Sequence, residues 1–250
     1  MKARAVERDD GYVLEGHKVW VSAARICDWG FFLFRTGELE SRHRGLSMFV
    51  VELSTPGITR RTVKDYAGLP AWQEIFFDGV FVPKENLLGG KNNGWQVAMY
   101  ALNHERSGLV WLGTCRRAFD RLVAFVKGRR ALAENLAVRE RLSMLAVEIE
   151  AARLACYYVA SLQDRGITPV YEASIAKILA CRSSVHLAEA GMDLMGEYGL
   201  LDTGSPLAPF DGGVARTYLS YPMWVLGGGS LEIQKEVIAR FGLGMPKLYG

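Results

Sequence analysis

The pattern of hydrophobic and polar positions changes character once along the chain, near residue 90. Between residues 11 and 86 the apolar positions come in short runs rich in β-branched and aromatic side chains, which predict strands. The runs are 11–22, 29–36, 46–53, 58–64 and 73–82. Turn-forming residues separate them: Ser41 to Gly45, Pro56-Gly57, Gly68-Leu69-Pro70 and Asp78-Gly79. No helical pattern intervenes, so an antiparallel sheet or barrel is expected. In one run Leu46, Met48 and Val50 share a face while Phe49, Val51 and Leu53 share the other. A strand apolar on both faces belongs between two packed layers.

Beyond Pro83 a loop, 88–94, leads into helical periodicity. Leu142, Leu145, Ile149, Ala152, Cys156 and Val159 recur at three- and four-residue intervals and mark one helix face. Four long helices are predicted, about 94–127, 136–164, 169–197 and 213–240, with breaks at Gly166, Pro169, Gly199 and the 204–213 loop. Helices of this length joined by modest loops predict an antiparallel four-helix bundle. The expected fold class is α+β: an antiparallel β-sheet or barrel domain over 1–90, then a helical-bundle domain over 91–250.

Composition narrows the function. With 250 residues, 50% hydrophobic and 23% charged, the chain has the makeup of a globular protein of one or two domains. A net charge of +3 without a dense basic stripe argues against nucleic-acid binding. No apolar run approaches the ~20 residues of a membrane span, and Met1 to Asp10 holds no apolar signal core, so a cytoplasmic location is expected. Cys27, Cys115, Cys156 and Cys181 are widely spaced and read as reduced, mostly buried thiols. His17, His43, His104 and His186 form no ligand spacing, so no metal is expected. No GxSxG elbow or strand-to-helix GxGxxG is present, and Gly227-Gly228-Gly229-Ser230 lacks the lysine of a P-loop.

Three stretches could carry chemistry. In Lys18-Val19-Trp20-Val21-Ser22, strand alternation points Trp20 and Ser22 the same way, a π surface beside a hydroxyl that suits a planar heteroaromatic ligand. The same pattern also describes a core tryptophan with a surface serine. In Leu102-Asn103-His104-Glu105-Arg106-Ser107, a carboxylate among Met99, Leu102 and Leu109 could have a raised pKa and act as a general base. An exposed Glu105 paired with Arg106 or Arg117 fits the spacing as well. In Gly227 to Lys235, glycines permit close approach to a ligand and Ser230 can cap the helix that follows, though a plain interhelical turn is equally compatible.

Taken in order, the motifs resemble the acyl-CoA dehydrogenase family over essentially the whole chain. Gly16-His17-Lys18-Val19-Trp20-Val21-Ser22, Asp28-Trp29-Gly30 and Arg35-Thr36 are similar to its middle β-domain. Asn86-Leu87-Leu88-Gly89 with Gly94-Trp95 is similar to its domain-linking segment. Ala173-Ser174-Ile175-Ala176-Lys177 and Gly228-Gly229-Ser230-Leu231-Glu232-Ile233-Gln234 are similar to two of its helical motifs. The resemblance implies an FAD flavoprotein oxidoreductase of fatty acid metabolism that desaturates an acyl-CoA thioester at α,β. A base removes the α-proton and the β-hydrogen leaves as hydride to the flavin. It implies that Trp20 and Ser22 contact the isoalloxazine, that Ser230 and Glu232 reach the FAD, and that Leu102 and Arg106 border the acyl pocket. It further implies electron delivery to an electron-transferring flavoprotein and assembly into a homo- or hetero-oligomer.

The chain departs from the family pattern in several places. Many members carry the base at the position of Gly228, which cannot act; a smaller group carries it at the position of Glu105, and Glu105 is the expected base. The R-x-x-F-G segment that reaches a neighbour's FAD has no match, Asp193 stands where Gln is common, and Leu231 replaces a small residue. The family's amino-terminal helical domain and first strand segment are expected to be absent. Two alternatives follow: a non-catalytic or incomplete subunit of a heteromeric acyl-CoA dehydrogenase, or a flavin oxidase or monooxygenase of the same fold.

Overall fold

The computed structural model describes residues 1–105 and 108–247. The chain divides into two compact units, Met1–Ala101 and Leu102–Gly250.

The first unit is a seven-stranded sheet. Its strands are β1 (Arg4–Arg8), β2 (Gly11–Ser22), β3 (Trp29–Arg35), β4 (Leu46–Glu52), β5 (Ile58–Val63), β6 (Trp72–Pro83) and β7 (Leu87–Leu88), in the spatial order β5-β6-β2-β1-β3-β4-β7. The sequence reading began its strands at Gly11, but β1 precedes it. Arg4–Arg8 is rich in charge and contributes only Ala5 to the core, so it carries little hydrophobic signal. The sheet is mixed rather than purely antiparallel, because β1 meets β3 in parallel at Arg4 and Arg35. Leu87–Leu88, expected within a linking segment, pairs with β4.

The inner face gathers Leu14, Phe32, Phe34, Phe49, Ile75, Phe77, Val80 and Val82 into one core. The Phe34 ring lies 5.1 Å from that of Phe77, although β3 and β6 are three places apart in the sheet. Contact across that separation requires the sheet to curl strongly onto its own inner face. β4 is buried on both faces, as its two apolar sets demand. Its second layer includes the chain at Gly94, where a Cβ would come within 2.4 Å of the Ser47 backbone. Only glycine allows that approach.

The second unit is helical. α1 (Gly94–Glu105) enters it, followed by α2 (Leu109–Lys127), α3 (Arg130–Ala133), α4 (Leu136–Asp164), α5 (Tyr171–Met195), α6 (Gly213–Leu226) and α7 (Leu231–Val237). Two of the four expected helices are broken. The stretch 94–127 is divided between α1 and α2, with Gly108 at φ 76° capping α2. The stretch 213–240 is divided at Gly227–Ser230, and a π turn, Ile238–Gly242, ends it. Apolar periodicity runs through both breaks, so pattern alone joins what glycine separates. α5 is the centre of the bundle, packed on α2, α4, α6 and α7. Small side chains, including Ala173, Ala176, Ala180, Ala188 and Ala190, let its neighbours come close. Leu112, Cys115, Phe119, Leu145, Ile149, Cys156, Val159 and Leu187 fill the rest of that core. Among the described residues no helix is long and apolar enough to cross a membrane.

Candidate functional site

Each unit carries candidate residues of its own. In the sheet unit they lie at the end of β2. The pairing of β2 with β6 slips by one residue between Lys18 and Val21. This bulge, and not simple alternation, orients Trp20. Its φ is 62°, a left-handed value that costs a bulky side chain on the order of 1 kcal/mol or more. Val21 packs against the sheet core, while Trp20 and Ser22 on either side of it are exposed. Trp20 is 62% exposed, which sets aside the reading of a core tryptophan. Trp72, paired with Ser22 across the strands, meets the Trp20 ring edge-on at 5.8 Å. Sequence reasoning assigned Trp72 no role; its alignment with the bulge was the signal, and that requires knowing the register.

Lys18 anchors the same strand. Its ammonium donates to the Leu33 carbonyl and sits 4.5 Å from the Phe34 ring centroid. Burial lowers its pKa to about 8.

In the helical unit, Glu105 is the last residue of α1, exposed, beside the break before α2. Leu102 is half-buried one turn earlier. Arg106 lies outside the described residues. Gln163 of α4 fixes this helix end: its Nε2 donates to the carbonyls of Asn103 and His104, both at 3.2 Å. Across the break, a Cβ on Gly108 would lie 2.8 Å from Cys156 Sγ, so α2 starts hard against α4.

The other helical part is the turn Gly227–Ser230. Ser230 is the N-cap of α7, its hydroxyl oxygen accepting from the Ile233 N–H at 3.4 Å. Glu232 is exposed, and its carboxyl lies below the usual range because the Ser230 hydroxyl and then its own backbone N–H bond to the charged form. Gly228 has φ 66°, a conformation that disfavours any side chain there. Gly229 has φ 97°, and a Cβ there would collide with Gln234 Nε2 at 2.7 Å.

Two residues hold this turn from inside. Lys177 of α5, buried, donates to the carbonyls of Gly227 and Gly229. Gln234 of α7, fully buried, donates through Nε2 to the carbonyls of Gly228 and Gly229, each at 3.2 Å, while its Oε1 has no hydrogen-bond partner among the described residues. Both stand in the motifs noted above, yet nothing in their spacing shows that they meet.

A curled sheet bearing an exposed tryptophan and a helical bundle bearing a clamped glycine turn make this an α+β protein of two units. The model of the acyl-CoA dehydrogenase middle domain matches residues 1–80, and that of the acyl-CoA dehydrogenase C-terminal domain matches residues 92–243. The chain belongs to the acyl-CoA dehydrogenase family, whose members are FAD-dependent flavoprotein oxidoreductases. Acyl-CoA dehydrogenase IpdE1 of Mycobacterium tuberculosis is 33% identical over 241 residues, covering 95% of this chain and 60% of the relative. A solved structure described as the Tcur3481-Tcur3483 steroid ACAD G363A variant superposes with a TM-score of 0.92 at 26% identity, covering 98% of this chain and 64% of that one. The ChsE4-ChsE5 complex from Mycobacterium tuberculosis superposes at 0.86 with 27% identity, covering 98% of this chain and 65% of that one. The chain spans from a third to somewhat under two thirds of the length of the first curated relatives it matches.

Proposed function

We propose that this chain carries the flavin- and substrate-facing parts of an acyl-CoA dehydrogenase that introduces an α,β double bond into an acyl-CoA thioester. The observation that carries this reading is the turn Gly227–Ser230, in which the carbonyls of Gly227, Gly228 and Gly229 are held from within by Lys177 and Gln234, in a chain that matches both family domains.

Two features fit FAD. The strained, exposed Trp20 beside Ser22 offers a flat surface with a hydroxyl. The Gly228-Gly229 turn is bare of side chains and closes on the buried amide of Gln234, whose Oε1 has no partner among the described residues. Trp20 and Ser22 would hold the cofactor on the sheet unit, and Ser230 and Glu232 on the helical unit. When bound, FAD supplies the acceptor for the β-hydrogen and its electron pair. Glu105, presented at the α1–α2 break and steadied by Gln163, removes the α-proton; Leu102 and Arg106 border the acyl chain. An exposed carboxylate becomes an effective base once the bound thioester excludes water from it.

We also propose that the reduced cofactor is reoxidised by an electron-transferring flavoprotein and that the protein acts in the cytoplasm. No disulfide joins the four cysteines and three of them are buried, as a reducing compartment favours. Assembly with further copies or a second chain is supported by α4. Besides its buried stripe it exposes Met144, Val147, Leu154 and Tyr158, spaced along one face.

The test is a visible spectrum of the purified protein before and after anaerobic addition of acyl-CoA thioesters. A flavin band that bleaches on addition supports the reading, and a colourless protein that takes up no added FAD overturns it.

A further inference from the structure

We propose that Lys177 and Gln234 are positioning residues for the cofactor: they set FAD affinity by fixing the backbone of the Gly227–Ser230 turn, although neither belongs to the turn itself. The inference rests on the functional reading above and extends it to two residues that nothing there places in contact with the flavin.

Burying an ammonium is costly unless carbonyls replace its water. Lys177 is 9% exposed, on a helix whose other buried positions are small or apolar. A lysine there is an expensive way to fill space, and packing alone does not explain it. Its acceptors include Gly227 O and Gly229 O, which lie 50 and 52 residues away along the chain. Gln234 takes Gly228 O and shares Gly229 O. The orientation of its amide follows from its partners: both are carbonyls, so the nitrogen must face them.

Three consecutive carbonyls are thereby drawn inward. Each peptide unit is planar and trans, so its N–H points opposite its C=O. The N–H groups of Gly228, Gly229 and Ser230 accordingly point away from the clamp. A glycine turn has the greatest freedom of any backbone to adopt other conformations. Ammonium and amide remove that freedom before the ligand arrives, so less ordering is left to be done on binding. Among the described residues the fully buried Gln234 Oε1 has no donor, which packing alone does not explain either.

The test compares the parent with Lys177→Met and Gln234→Met. Apo-protein is titrated with FAD by flavin fluorescence, the thermal transition of each apo-protein is followed by circular dichroism, and amide hydrogen exchange is measured across residues 226–234. Both variants should raise the FAD dissociation constant at least tenfold and speed exchange at Gly228–Ser230 at least tenfold, with the apo transition cooperative. Parental FAD affinity in a folded Lys177→Met overturns the proposal; if that variant does not fold, parental affinity in Gln234→Met overturns it. Failure of the parent to bind FAD defeats the functional reading instead. The clamp is then judged on exchange alone, and unchanged exchange in both variants refutes it.

Discussion

Trp20 stands edge-on to Trp72, with ring centroids 5.8 Å apart and planes at 85°. The contact holds an exposed ring in place on a backbone that would rather not carry it. Trp20→Gly relieves the left-handed φ and removes a side chain that buries little. Its stability should stay within about 1 kcal/mol of the parent in urea unfolding. FAD affinity should fall at least tenfold, because the flat surface is gone. A variant that keeps parental flavin binding would show that Trp20 is not a cofactor contact.

The thiols should divide one against three. Cys27 is exposed, whereas Cys115, Cys156 and Cys181 are buried. Burial pushes the Cys115 and Cys156 thiols up to about 11 and raises that of Cys181. Thiolate is the reacting species, so a higher pKa and lost access both slow attack. At pH 8 a chromogenic disulfide reagent should titrate one thiol per folded chain quickly, and all four only in denaturant. Rapid reaction of two or more in the folded protein contradicts the packing around α5.

Lys18 predicts how stability responds to pH. Its pKa is about 8 in the folded chain against 10.5 in the ordinary state. The folded state therefore binds this proton less tightly than the unfolded state, and folding carries the full penalty below pH 8. The penalty fades as pH rises from 8 toward 10.5 and is absent above it. Measured against Lys18→Met, which cannot titrate, the parent should gain about 2 kcal/mol between pH 7.5 and pH 10 in urea unfolding. A pH-independent difference would mean that the ammonium remains solvated.

Both folds and most motifs were legible because they rest on local pattern. The alternation of β2 and β4 and the 3.6-residue stripe of α4 are written in neighbouring residues. What escaped was set by distant ones. β1 is recognisable only through its partners, since its outward positions are charged. The Lys18–Val21 bulge exists in the register with β6 and not in β2 itself. Lys177 reads as an ordinary helix lysine until the turn 50 residues onward closes over it. The break at Gly108 was hidden because glycine interrupts a periodicity that continues on both sides. Sequence therefore named Trp20, Ser22, Ser230 and Glu232 as candidates without giving a role to Trp72, Lys177, Gln163 and Gln234, which orient them or their neighbours.

Glu105 provides the sharpest functional expectation. It ends α1, and Gln163 holds the two preceding carbonyls, so the helix end is fixed while the carboxylate stays exposed. Glu105→Gln keeps the size of the side chain and removes only its ability to take a proton. The flavin spectrum and thermal transition should match the parent. Bleaching by acyl-CoA should slow by about a thousandfold, roughly 4 kcal/mol of lost transition-state stabilisation. Gln163→Leu leaves the carboxylate chemically intact but frees the helix end, so it should slow bleaching by a smaller factor, about tenfold, without altering the pH profile of the step. If Glu105→Gln bleaches at the parental rate, the α-proton goes elsewhere, and the carboxylate at the helix break is only a surface residue.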